Sequence, residues 1–258
     1  MFIDSHCHLN YKGLAEQQDA VIARARAAGV GGMLTISTRE REWDDVVAIA
    51  EQHGDIWASI GIHPHEADHH PHVTAEVLLA RAAHPKVIGI GETGLDYYYD
   101  HSDRAAQARN FRAHIAAARE TGLPLIVHTR DAEADTLAIL REESAAGAFP
   151  CLIHCFTASA TFADAALALG CFISLSGIVT FKNARDLQAV AARLPIERLL
   201  IETDAPFLAP VPHRGKTAEP AFVADTAQFL AVLRGESVAA LAEATRANFF
   251  ALFRKAAA

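Results

Sequence analysis

The chain opens on FIDSHCHL, residues 2–9, a short apolar run that ends in two histidines one residue apart. Side chains alternate between the faces of a strand, so His6 and His8 project together and Cys7 points the opposite way. The same pattern returns further along. VIGIGE (87–92) ends on Glu92, PLIVH (124–128) on His128, CLIH (151–154) on His154 and RLLIETD (198–204) on Asp204. Apolar runs without polar alternation suit strands covered on both faces, the condition of a parallel sheet. Polar residues that each close such a run meet in one place if the strands form a parallel barrel, whose active site lies at the strand C-termini.

Eight runs of this kind are present, at 2–6, 31–36, 56–61, 87–91, 124–128, 150–154, 171–175 and 198–202. Between them apolar residues recur at helical spacing, as in Val21, Ile22 and Ala25, or Phe111, Ile115 and Ala118. Residues 184–194 carry the same spacing, and a last helix follows Gly235 with Ser237 as its N-cap. No linker or low-complexity tract interrupts the alternation. The expectation is an α/β protein, a (β/α)8 TIM-type barrel, with residues 1–258 as a single domain. Two long loops, 62–73 and 205–220, leave the C-terminal ends of strands and should overhang the site.

Composition narrows the function. Half of the residues (51%) are hydrophobic, ample for a large core, and the net charge of −8 is the wrong sign for a salt-sensitive duplex binder. An enzyme that meets nucleic acid only at a local, metal-neutralised pocket remains compatible with that charge. No stretch approaches the roughly 18 apolar residues of a membrane span. Strand-like residues begin at Phe2, with no basic and apolar leader before them, so the expected location is cytoplasmic. Cys7, Cys151, Cys155 and Cys171 form no paired C-x-x-C knuckles and are expected to be free thiols.

A lone H-x-H pair is a weak signal, but its company of four further ligand-type residues at strand ends is not. Imidazoles and carboxylates together suit two divalent ions, Zn, Mg or Mn. The expected grouping is His6, His8 and Asp204 on one ion, His128 and His154 on the other, with Glu92 bridging. Such ions, about 3.5–4 Å apart, clamp the attacking and leaving oxygens of a displacement and activate water. Asp204 is also the expected general base, and Glu92 and Asp204 are the catalytic carboxylates. Glu202 is expected to turn away from the Asp204 face as a supporting or salt-bridge residue. His63, which follows its strand directly, is the best substrate contact of a loop that also holds His65, His69, His70 and His72. The last three read as solvated. Arg130 and Arg214 are candidate phosphate contacts, because a guanidinium holds phosphate oxygens bidentately. Tyr97, Tyr98 and Tyr99 fit either base stacking or packing over the barrel mouth.

With these residues in view, the chain resembles the TatD-like metal-dependent deoxyribonucleases, a branch of the amidohydrolase-type barrels. The resemblance runs from FIDSHCHL through GIHPHEA, IGETGLDYYYD, LPLIVHTRDA, LIHCFTAS and LLIETDAPFLAP to HRGKTAEP. It implies a TIM-type barrel with divalent ions at His6, His8, Glu92, His128, His154 and Asp204. It also implies hydrolysis of phosphodiester bonds by a metal-activated water, as a 3′→5′ exonuclease on single-stranded DNA or 3′ ends. RNA or tRNA are further substrates in this reading, and no obligate protein partner is implied. One departure is visible: the family's late loop commonly reads R-G-K-R-N-E-P, whereas Thr217 and Ala218 stand here, removing a positive charge. Two alternatives keep the metal site. One is ester cleavage on D-aminoacyl-tRNA. The other is a small-molecule amidohydrolase, against which stands the absence of a metal-bridging lysine on the fourth strand.

Overall fold

The computed structural model describes residues 1–99 and 101–257; Asp100, which ends the DYYYD stretch, and Ala258 lie outside the described residues. Eight strands alternate with helices. The strands are β1 (Phe2–Cys7), β2 (Val30–Ile36), β3 (Ile56–Ile60), β4 (Val87–Asp96), β5 (Leu125–Arg130), β6 (Cys151–Ile153), β7 (Phe172–Leu175) and β8 (Leu199–Ile201). The helices are α1 (Gln18–Ala27), α2 (Trp43–Glu51), α3 (Ala75–Ala82), α4 (Arg104–Thr121), α5 (Glu133–Ala146), α6 (Ala160–Ala168), α7 (Arg185–Arg193), α8 (Val223–Arg234) and α9 (Val238–Leu252).

The sheet runs β1 to β8 in sequence order, and every ladder is parallel. This is the (β/α)8 TIM-type barrel that the apolar runs predict. The ring closes between β8 and β1 without a regular ladder. A single parallel bridge joins Cys7 to Ala205. Around it, Asp204 N–H donates to the His6 carbonyl at 2.9 Å and His8 N–H to the Ala205 carbonyl at 2.8 Å. Side chains finish the seam. The Asp4 carboxylate accepts from Thr203 N–H (2.9 Å) and from Thr203 Oγ1 (2.6 Å), and Ser5 Oγ donates to the Ile201 carbonyl (3.0 Å).

Alternation along the strands divides the apolar residues into two cores. One set lies outside the barrel wall, under the helices, and includes Met33, Ile60, Ile90, Leu125 and Val127. The other fills the interior with Ile3, Leu34, Trp57, Ile88, Ile126 and Leu200. Phe249, Leu252 and Phe253, from the end of α9, join this inner set and plug the N-terminal mouth of the barrel. Burying each such side chain is worth about 1.5–3 kcal/mol. Ser237 caps α9 as expected, its Oγ accepting from Ala240 N–H at 3.1 Å. With its lower mouth plugged, the barrel can hold a site only at the other end.

One element differs from its expected bounds in a way that matters. β4 does not stop at Gly91 but continues through Glu92 to Asp96, pairing Gly94 with His128 and Asp96 with Arg130. Two glycines permit this. A Cβ on Gly91 would lie 2.6 Å from the Ile126 carbonyl oxygen, and one on Gly94 would lie 2.0 Å from that of His128. β4 and β5 therefore approach each other here more closely than side chains allow.

Candidate metal centre

Glu92 is the hub. It is 4% exposed, and it turns one carboxylate oxygen to each of two groups of imidazoles. Oε2 lies 3.3 Å from His6 Nε2. Oε1 lies 2.7 Å from His154 Nε2, 3.1 Å from His128 Nδ1 and 3.4 Å from His63 Nε2. Asp204, just past β8, faces the first group, with Oδ1 3.4 Å from His8 Nε2 and 3.6 Å from His6 Nε2. The His6 and His154 rings stack at 3.9 Å, 9° from parallel. All six sequence-predicted ligand residues thus converge. Among the described residues three donor sets lie tight enough for an ion, none of them including Asp204: His6, His8 and Glu92; His63, Glu92 and His128; and His6, His154 and Glu202.

The chemistry of these donors fits divalent cations. His6 is fully buried, and among the described residues neither of its ring nitrogens has a hydrogen-bond partner. A buried polar atom without a partner is costly unless something else satisfies it. A cation at Nε2 would do so.

Hydrogen bonds on the far sides of the rings decide which nitrogen faces inward. His8 Nδ1 donates to the Ile36 carbonyl (3.1 Å), leaving the Nε2 lone pair toward Asp204. His154 Nδ1 lies 3.4 Å from Glu202 Oε1, again leaving Nε2 inward. His128 is reversed: Nε2 meets Asp96 Oδ2 at 2.9 Å, and Nδ1 faces Glu92. His63 differs in kind. Its Nδ1 accepts from His65 N–H at 3.1 Å, so the neutral ring carries its proton on Nε2, the atom turned to Glu92. His63 is arranged as a donor, whereas His8, His128 and His154 are arranged as lone-pair ligands.

In the metal-free protein these contacts move the titration of the groups. Burial alone would raise Glu92, but the charge of His154 and hydrogen bonds from His128 and His154 hold it well below the ordinary carboxylate range. Burial depresses His128 and His154, yet the carboxylates around them outweigh it and raise both. His63 is pushed well down by burial and is neutral at pH 7.

Three side chains not singled out in the sequence belong to this centre. Asp96, 1% exposed, touches both His128 and His65 through Oδ2, each at 2.9 Å. Arg39, paired with Glu66 at 2.7 Å, and Phe207 both line the cavity that the donors share. Glu202 corrects an expectation. It is fully buried against His154 rather than turned away, because it continues the alternation of β8 that turns Leu200 into the barrel.

The cavity over the donors measures about 640 Å³. Arg130 lines it and lies over the Tyr98 ring at 4.0 Å, with Tyr99 at 4.8 Å. Arg214 does not line it: this exposed guanidinium stacks on Phe181 at 3.7 Å. Of the distal histidines, His69 and His72 are exposed, and His72 pairs with Glu40 at 2.6 Å. Thr217 is exposed and Ala218 buried, and neither reaches the cavity wall. Among the described residues no lysine lines the cavity, and all four cysteines are free.

The sequence profile of the family described as TatD related DNase matches residues 3–254. The chain belongs to that family. A metal-dependent hydrolase of Escherichia coli K12, YcfH, of uncharacterised activity, is 44% identical over 254 residues, which cover 97% of this chain and 95% of the relative. The 3′-5′ ssDNA/RNA exonuclease TatD of Erwinia tasmaniensis is 36% identical over 260 residues, covering 97% of this chain and 98% of its own. The crystal structure of the TatD homologue YjjV from Escherichia coli K12 superposes with a TM-score of 0.91 at 30% identity, covering 98% of both chains. This TatD-family chain is accordingly a metal-dependent hydrolase. Among its described residues no helix is long and apolar enough to cross a membrane.

Proposed function

We propose that the chain is a phosphodiesterase acting on nucleic acid, a 3′→5′ exonuclease on single-stranded DNA that needs two divalent ions, Zn, Mg or Mn. The observation that carries the reading is Glu92, whose two oxygens face two separate imidazole groups beneath an open cavity with a guanidinium in its wall. The exonuclease named among its relatives supports the choice of bond and substrate.

In this reading His6, His8 and Asp204 hold one ion, His128 and His154 hold the other, and Glu92 bridges them. The ions supply Lewis acidity for the phosphoryl group and lower the pKa of water at the centre. The remaining work falls to the chain. Asp204, whose side chain is 16% exposed, is the general base, a carboxylate open to the cavity that takes a proton from the attacking water at Oδ1 or Oδ2. Neutral His63 donates from Nε2 to a phosphate oxygen, fixed in that tautomer by the His65 amide. Arg130 holds a phosphate oxygen at the rim, its guanidinium kept flat by the tyrosine rings beneath it. Tyr99 and Phe207 offer faces to unstacked bases, which a single strand presents and a duplex does not. The acidic surface adds no long-range attraction, so affinity comes from these local contacts.

The test is direct. Chelator-stripped protein, reloaded with Zn²⁺, Mn²⁺ or Mg²⁺, is given 5′-labelled single-stranded DNA, duplex DNA, RNA, D-aminoacyl-tRNA and a cyclic amide. Stepwise shortening from the 3′ end of the single strand is expected, and Glu92→Gln should abolish both that activity and metal retention. Turnover of the acyl-tRNA or the amide with no shortening of DNA would overturn the reading.

A further inference from the structure

We propose that Asp96 is a positioning residue that dictates which nitrogen of His128 is offered to the centre; the proposal rests on reading His128 as a metal ligand. The argument begins with how rigidly Asp96 is held. Gln107, wholly buried on α4, grips its backbone from both sides: Oε1 accepts the Asp96 N–H at 2.8 Å and Nε2 donates to the Asp96 carbonyl at 3.1 Å. The carboxylate is then divided between two tasks. Oδ1 accepts the backbone N–H groups of Tyr98 (3.0 Å) and Tyr99 (3.1 Å). Oδ2 is left for the two imidazoles, His128 Nε2 and His65 Nε2, each at 2.9 Å.

That division determines the tautomer. Both nitrogens of His128 face carboxylate oxygens, but Glu92 Oε1 is shared with His154 at 2.7 Å and with His63 at 3.4 Å. The shorter contact to Asp96 therefore takes the proton of a neutral ring at Nε2 and leaves the Nδ1 lone pair for a cation beside Glu92. Asn at this position has nearly the same shape but one acceptor instead of two. The Tyr98 and Tyr99 amides belong to the backbone and cannot turn away, so they would claim the Asn oxygen. Its NH₂ group would then face His128, which could meet it only with a lone pair on Nε2. The proton would move to Nδ1 and block the ligand position. The same carboxylate thus ties the Tyr98–Tyr99 turn to a ligand of the centre.

The test uses full-length, metal-free protein labelled with ¹⁵N-histidine, at alkaline pH where the ring is neutral. The His128 signals are assigned by their absence from His128→Gln. Wild-type His128 should be protonated on Nε2 and bare on Nδ1, and Asp96→Asn should reverse this while unfolding at a similar temperature. Zinc affinity, measured in competition with a chromophoric chelator, should fall about 10- to 100-fold in Asp96→Asn. A wild-type ring protonated on Nδ1 overturns the proposal with no variant needed, even if Asp96→Asn fails to fold. So does an Asp96→Asn protein that keeps both the wild-type tautomer and the wild-type zinc affinity. Wild-type protein that binds no zinc, yet carries the proton on Nε2, would overturn the metal reading while upholding the hold of Asp96 on the ring.

Discussion

Acid should destabilise this protein through His114, by an amount the structure allows to be worked out. His114 sits on α4 at 0% exposure. Its Nδ1 donates to the Asn110 carbonyl at 2.8 Å, and its Nε2 accepts the Ile62 N–H at 3.0 Å. Burial lowers its pKa from 6.5 to about 4. The geometry agrees, because a proton on Nε2 would confront the Ile62 N–H. Below pH 6.5 the unfolded chain takes up a proton that the folded protein refuses. The stability is therefore complete above that pH and is lost as pH falls toward 4. The full displacement corresponds to about 3.4 kcal/mol, of which about 2.4 is lost between roughly pH 7 and pH 4.5. Urea unfolding of the metal-free protein at those two pH values, for wild type and His114→Gln, isolates the effect. Gln can donate and accept in place of the ring but does not titrate, and every other titrating group is common to both chains. The variant should lose about 2 kcal/mol less on acidification. Equal losses in the two proteins would refute the reasoning.

Gly94→Ala should destabilise by about 3 kcal/mol or more, read from the urea midpoint, since its Cβ would fall 2.0 Å from the His128 carbonyl at φ +138. Displacement of β5 in that variant should also reduce bound zinc, measured by elemental analysis. Phe253→Ala, at the plugged mouth, should cost about 3–5 kcal/mol in thermal or urea unfolding. Its activity per folded molecule should stay at the wild-type level, because the plug and the centre lie at opposite ends of the barrel. Arg130→Ala should raise the KM for a single-stranded oligonucleotide about 10- to 100-fold, the worth of a charged hydrogen bond, with little change in kcat. An unchanged KM would remove Arg130 from the substrate path.

The barrel was legible because strands buried on both faces must be apolar, and a ligand at the end of each run is conspicuous against them. Six donors at strand ends needed no knowledge of their contacts to be grouped. Asp96 escaped because GETG breaks the apolar run at Glu92, so the sequence signal of the strand ends there. Only the glycines, which admit β5 at close range, reveal that β4 continues. Once it does, period two carries Glu92 and Asp96 to the same face. His65 was hidden for a different reason: its loop carries five histidines, and nothing in its composition separates a histidine that reaches Asp96 from exposed His69. Arg214 was misplaced because a guanidinium near a site in sequence has an alternative, here the face of Phe181.

The seam between β8 and β1 gives the order of synthesis a chemical meaning. His6 and His8 lie on one side of it and Asp204 on the other, joined by the Asp204-to-His6 and His8-to-Ala205 backbone bonds. A nascent chain exposes the two imidazoles long before the carboxylate exists, and before there is a closed ring to hold all three at their working distances. A stalled ribosome or a broken message therefore releases a fragment that lacks both the missing donor and the seam. Such a fragment lacks the grouping of His6, His8 and Asp204 that the finished protein presents, which arises only when the last strand has docked against the first.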